Sequence, residues 1–136
     1  MKKKPSKPKG LRKLRAELWS VFREFIKARD KCICFTCGKL VRGQNCHAGH
    51  FITGATCPPP LYFDEHNVHC QCYRCNVHLS GNWVVYEERL RYVYGDEIVD
   101  ELKRRRGHSI KWTRQDYEDM ILEYRDKVKA LVDRAL

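Results

Sequence analysis

Two cysteine pairs of identical spacing constrain this chain more than any other feature: Cys34-x-x-Cys37, followed by Gly38, and Cys72-x-x-Cys75. Each pair has the form of a zinc knuckle, a tight turn that offers two thiolates. Two knuckles complete a tetrahedral four-sulfur site that is closed to water and therefore structural. The spacing predicts a Zn2+ ion held by Cys34, Cys37, Cys72 and Cys75, with binding energy that is largely folding energy. Unrelated buried cysteines are the plain alternative, but they leave the repeated spacing without a reason. The chain has eight cysteines and no apolar leader at its start. A reducing compartment, the cytoplasm, keeps such thiols free for metal. No run of 18 apolar residues predicts a membrane span.

Cys32 and Cys70 each stand two residues before a knuckle. On a strand each faces the same side as the next cysteine. Two readings stay open, packed reduced thiols beside the metal or ligands of a second one. Cys57 has no partner visible in the sequence.

Charge adds a second constraint. Lys and Arg number 27 against 17 Asp and Glu, a formal net charge of +10. Such an excess points to an anionic partner, most directly nucleic acid, with solubility alone as the competing explanation. The densest positive stretches are Lys2, Lys3, Lys4, Lys7 and Lys9, and then Lys103, Arg104, Arg105 and Arg106. Both read as phosphate contacts that fix position without reading sequence. Binding through them is expected to be sequence-tolerant and salt-sensitive.

The expected fold class is α+β. Residues 1–10 form a basic arm without regular structure. Leu11, Leu14, Leu18, Phe22, Phe25 and Ile26 recur at helical spacing and predict a helix over 11–29. Its outer face, with Arg12, Lys13, Arg15, Arg23 and Lys27, reads as solvated. Between Cys32 and Asn76 the helical rhythm stops. Short strands are expected near 46–52 and 66–70, separated by the loop "TCPPP", whose prolines continue neither helix nor ladder. Helices are expected again over 82–94, with Asn82 as cap and Gly95 as stop, over 96–106, and from Thr113 onward. Tyr117, Met120, Ile121, Tyr124, Val128, Leu131 and Val132 share one face of the last helix, suited to core or to a homodimer seam. This gives a unit over 11–106 and a C-terminal helical segment over 107–136.

Between the knuckles lie "HAGHFI" (47–52) and "FDEHNVH" (63–69), followed by "CQCYRCN" (70–76). With His50, Asn67 and Asn76 in that order, the chain resembles the HNH, or ββα-metal, nuclease superfamily. The stretches "AGHF", "FDEHNVHCQCYRCNVHLSGN" and "YGDEIVDEL" narrow the resemblance to the NinG family of phage recombination endonucleases, over roughly residues 30–105. The resemblance implies a small ββα-metal, treble-clef-like core on the zinc site. It implies cleavage of branched DNA such as Holliday junctions, in the cytoplasm of a bacterial host cell. It also implies a helix at the second knuckle that presents Asn76 to a catalytic Mg2+ or Mn2+, and an Asn67 that ties down the loop by backbone hydrogen bonds.

The residue types fit that chemistry. Phosphodiester hydrolysis needs a water deprotonated near neutral pH, and His50 suits the task. The Asn76 carbonyl oxygen suits magnesium or manganese better than zinc. Many relatives place an acid directly before the base; here that position is Gly49. The second protein ligand is therefore open among Asp64, His69 and His47. Ser80, four residues past Asn76, shares its side if the turn is helical. His66, His78 and His108 read as surface residues. A non-catalytic zinc module that binds DNA or RNA needs the knuckles and the cations but neither His50 nor Asn76. A protein-interaction hub of the treble-clef or RING kind accounts for the cysteines but not for the charge.

Overall fold

The computed structural model describes residues 2–5, 7–54 and 57–135. Thr56 of the proline loop lies outside the described residues. The α+β class holds: a two-stranded antiparallel sheet is surrounded by helices. Helix α1 spans Leu11–Arg29 and buries Leu14, Leu18, Phe22, Phe25 and Ile26, the stripe that its periodicity predicts. Leu11 is the exception and stays half exposed.

Helix α5, Arg114–Ala135, lies against α1. The Tyr124 ring meets Phe22 at 4.9 Å and Phe25 at 5.1 Å, both edge-on. Tyr117, Ile121 and Tyr124 thus belong to the core shared with α1. Most of the apolar face expected to serve core or a dimer seam packs into this core, while Val132 stays exposed. Thr113 starts α5 with a reciprocal cap: its N–H reaches Asp116 Oδ2 at 2.7 Å, and the Asp116 N–H donates to Thr113 Oγ1 at 3.2 Å.

Strands β1, Cys46–His50, and β2, Val68–Cys72, pair so that Cys46 faces Cys72, Gly49 faces His69 and His50 faces Val68. Both differ from the expected bounds. Phe51 and Ile52 leave the ladder because Asn67 captures them. The Phe51 N–H bonds to the Asn67 carbonyl at 2.9 Å, and the Ile52 N–H to Asn67 Oδ1 at 2.7 Å. The Asn67 amide then donates to the carbonyls of Ile52 and Leu61, each at 3.0 Å. Asn67 is fully buried. Asn67→Ala leaves one N–H and two carbonyls without partners and should cost about 3 kcal/mol in a denaturant melt; a loss below about 1 kcal/mol would mean that the loop has another anchor.

The prolines, expected to exclude a helix, instead start one. Helix α2, Pro59–Tyr62, has Pro59 in its first turn, where no N–H is needed. Past Cys72 the chain makes a π-helical turn, Arg74–His78, rather than an α-helix. Helices α3, Trp83–Tyr94, and α4, Asp96–Arg104, follow, separated by Gly95 at φ +91°. Asn82 does not cap α3 with its side chain. It sits in the left-handed region at φ +50° and turns its amide to Cys75 Sγ at 3.7 Å. A second core, with Phe51, Leu61, Tyr86, Leu90, Val99 and Leu102, joins α3 and α4 to the loop between the strands.

Candidate metal centre and basic cleft

The two knuckles come together at the open end of the hairpin. In the first, the Gly38 N–H returns to the Cys34 carbonyl at 2.8 Å, a tight turn that needs Gly38 at φ +78°. The second begins at the last residue of β2. The ligand atoms of Cys34, Cys37, Cys72 and Cys75 all lie within 4.8 Å of one another. The Cys37–Cys72 separation is 3.8 Å, the edge of a tetrahedron with metal–sulfur bonds of about 2.3 Å. Four sulfurs so arranged, three of them buried, fit one zinc ion.

Cys32 and Cys70 are outside that quartet. Cys70 is buried with its Sγ 3.1 Å from Cys46 Sγ, and Cys32 packs beside them. Cys46 has no spacing partner in the sequence, so only the fold brings it to this cluster. Cys57, without a visible partner in the sequence, donates its thiol to the Ile52 carbonyl at 3.3 Å.

His50 ends β1. Its ring packs between Trp19, 5.3 Å away and stacked, and Tyr62 at 4.1 Å. His50 Nε2 lies 2.9 Å from the Tyr62 carbonyl oxygen. A carbonyl only accepts, so Nε2 carries the proton and Nδ1 keeps the lone pair. Burial, helped by the nearby Arg15 cation and resisted by the Tyr62 carbonyl, lowers the His50 pKa from its ordinary 6.5 to about 4. The imidazole is therefore neutral at physiological pH.

A cleft of about 650 Å³ is lined by Trp19, Arg23, Lys27, His47, Ala48 and Asn76 among others, and His50 itself is not in the lining. Trp19 borders both the cleft and His50. Ala48, two residues before His50, shares its side of the strand. Arg23 and Lys27, which the helix pattern assigns to a solvated face, point cations into this space, and neither is in an ion pair among the described residues.

Asn76 is held by a chain of hydrogen bonds. His47 Nε2 faces the Gln44 carbonyl at 3.0 Å, so His47 Nδ1 accepts, and the Asn76 amide donates to it at 3.0 Å. This leaves Asn76 Oδ1 turned toward Gly49. A Cβ at Gly49 would stand 3.0 Å from that oxygen and only 1.9 Å from Gln71 Oε1. Gln71 is fully buried, and its Oε1 has no hydrogen-bond partner among the described residues.

Each of the three open choices for a second ligand is engaged by other partners. His69 is buried against Phe35, with Nδ1 3.1 Å from the Tyr86 hydroxyl and Nε2 2.8 Å from the Tyr94 hydroxyl. Both nitrogens are used, and burial lowers the pKa to about 2, so the ring is neutral. Asp64 pairs with Arg105 at 2.7 Å and accepts from the His66 N–H at 2.8 Å. His47 is spent on orienting Asn76.

The basic run is also largely engaged. Lys103 pairs with Glu87, Arg104 with Glu101 and Arg105 with Asp64, while Arg106 is exposed. Carboxylates from α3, from α4 and from the segment before β2 occupy cations that the sequence presents as free. In the N-terminal arm, Lys2, Lys3, Lys4 and Lys7 are exposed, and Lys9 pairs with Glu17 at 2.6 Å. His66 and His78 stand near the surface, His108 and Ser80 are exposed, and Ser80 donates its N–H to the Val77 carbonyl at 3.1 Å.

Fold and site define a small α+β protein whose antiparallel hairpin is closed by a paired cysteine knuckle. A family model described as "Bacteriophage Lambda NinG protein" matches residues 1–134. The chain is 40% identical over 108 residues to "Protein ninG" of Escherichia phage lambda and 41% identical over 114 residues to "Protein ninG" of Salmonella phage P22. These alignments cover 79% and 80% of this chain, and 52% and 53% of those proteins. The chain belongs to the NinG family of bacteriophage proteins, and it spans about half the length of the curated relatives it matches. No solved structure matches it. Among the described residues no helix is long and apolar enough to cross a membrane.

Proposed function

We propose that this chain is a metal-dependent endonuclease that hydrolyses DNA phosphodiester bonds on an HNH-type, ββα-metal core, in the cytoplasm of the phage's host. One observation carries the reading: a neutral imidazole, anchored to a carbonyl through one nitrogen, stacks on Trp19, and Trp19 lines a basic cleft together with Asn76. His50 Nδ1 takes the proton of an attacking water, and the Tyr62 carbonyl then stabilises the imidazolium through Nε2–H. Asn76 Oδ1 is the protein oxygen that would hold Mg2+ or Mn2+. That cation, when bound, supplies Lewis-acid stabilisation of charge on the phosphate and the departing 3′ oxygen. Asn67 acts through the loop. It fixes Ile52 and the turn that carries the Tyr62 carbonyl, and so positions His50. Arg23 and Lys27, one turn apart on α1, hold the DNA backbone in the cleft. The substrates are branched recombination intermediates of the Holliday-junction kind, as the family resemblance implies.

The test is cutting of end-labelled four-way junction, fork and plain duplex DNA with and without Mg2+. Metal-dependent nicking that favours branched DNA is expected. DNA binding without nicking in any divalent cation would instead favour a non-catalytic zinc module. Arg23→Ala with Lys27→Ala should weaken binding to all DNA sequences alike and flatten the salt dependence by about one slope unit for each cation removed. An unchanged salt slope would put the DNA elsewhere.

The pH profile offers a further check. A base must be unprotonated to act, so the lowered His50 pKa predicts kcat/KM that holds from neutrality down and falls only as pH approaches about 4. An acid limb at 6.5, the ordinary histidine value, would point to a solvated imidazole or a different base.

A further inference from the structure

We infer that Gln71 supplies a second protein oxygen for the divalent cation, in the place that an acidic side chain at position 49 would otherwise fill. The inference rests on the nuclease reading for its choice of cation, but its geometry stands apart from it. Gln71 Nε2 donates to the Gly81 carbonyl at 2.8 Å and lies 3.2 Å from Thr36 Oγ1. The Gly81 carbonyl can only accept, so the amide nitrogen must face it and Oε1 must face Gly49. The side chain is fully buried, yet Oε1 has no donor among the described residues. Asn76 is fixed in the same sense from the other side. His47 takes its amide nitrogen, and its Oδ1 looks toward the same point, 3.0 Å from where a Gly49 Cβ would be.

Two carboxamides are thus pinned by their nitrogens, with both oxygens within 3.0 Å of the Gly49 Cβ position and the Gln71 oxygen without a donor among the described residues. Two acceptors so arranged require a cation or a hydrogen-bonded water. Neutral carbonyl oxygens are ligands for hard cations such as Mg2+ and Mn2+, not for zinc. A Cβ at position 49 would stand 1.9 Å from Gln71 Oε1, so any larger residue there would push the Gln71 amide out of this position. Gly49 and Gln71 are therefore a matched pair, with the ligand moved from one strand to the strand beside it. The shift also links the two metal centres. Gln71 lies between Cys70 and Cys72, and the Thr36 hydroxyl that it meets is 3.3 Å from Cys34 Sγ.

The test is Mn2+ titration of the zinc-loaded full chain, followed by the electron paramagnetic resonance signal of free Mn2+. Gln71→Glu keeps the shape and adds a charge; it should tighten Mn2+ binding. Gln71→Met removes the oxygen at similar volume; it should weaken binding by about 10- to 100-fold while zinc stays at one per chain. If Gln71→Met loses its zinc, Gln71→Glu decides alone. Mn2+ binding in the folded variants equal to that of the wild type would overturn the inference and assign the pocket to a water. So would a wild-type chain that binds no Mn2+ at millimolar concentration. The nuclease reading fails separately: Mn2+ binding that depends on Gln71, in a chain that cuts no DNA, leaves the cation site standing and removes the hydrolysis.

Discussion

His50→Ala loses DNA cleavage by about 10²- to 10⁴-fold, the usual share of a positioned general base, while zinc stays at one per chain and junction binding is unchanged. The expectation follows from what the ring touches. Its neighbours are Trp19, Tyr62 and the Tyr62 carbonyl, none of them a zinc ligand. Phosphate contacts are assigned to Arg23 and Lys27 on α1, which the substitution does not reach. Single-turnover cutting measured beside DNA affinity and zinc content separates the chemical role from a structural one. Cleavage retained by His50→Ala would remove His50 as the base, whatever the metal content.

Removal of zinc has an effect as large by a different route. Structural zinc sites of this kind contribute about 10–16 kcal/mol of apparent binding energy, and a whole domain is stable by only about 5–15 kcal/mol. Cys72 ends β2 and Cys75 immediately precedes Asn76. A zinc ion held by the four cysteines would therefore both close the hairpin and set the position of the carboxamide. A zinc-selective chelator is expected to abolish the cooperative thermal transition and the cutting together, with Zn2+ restoring both and Mg2+ restoring neither. Cys75→Ser should behave as the chelated chain does. A chelated chain that still melts cooperatively, with near-ultraviolet dichroism intact, would show that the apolar core alone holds the fold.

These two expectations rest on features of unequal legibility. The knuckles could be read from the sequence because both members of each ligand pair come from one short turn, so their spacing is local. Helices α1 and α5 could be read for the same reason, since periodicity reports a buried face without naming its partner. The partner was not legible: nothing in the last helix says that Tyr124 meets Phe22 and Phe25 rather than a second copy of the chain. The partners of the second-ligand candidates are ones that no spacing reveals. His69 meets hydroxyls from α3, and Asp64 meets Arg105 from beyond α4. Arg23 and Lys27 have the spacing of an ordinary solvated face, and only the fold places the second knuckle opposite them. Gln71 lay in plain view between two cysteines. Strand alternation turns it to the opposite face of the sheet from them, the face of His69 and Gly49, but its significance depends on Gly81 holding one end of its amide.

The central claim is that a divalent cation and His50 meet at one phosphate beside Asn76. Anomalous diffraction from crystals of the zinc-loaded chain soaked in Mn2+ with a short DNA duplex tests it most directly. The expected result is zinc density among Cys34, Cys37, Cys72 and Cys75, and a separate manganese peak against Asn76 Oδ1 with a DNA phosphate between it and His50 Nδ1. Manganese found only away from Asn76, or a phosphate backbone that avoids the Arg23–Lys27 cleft, would contradict it.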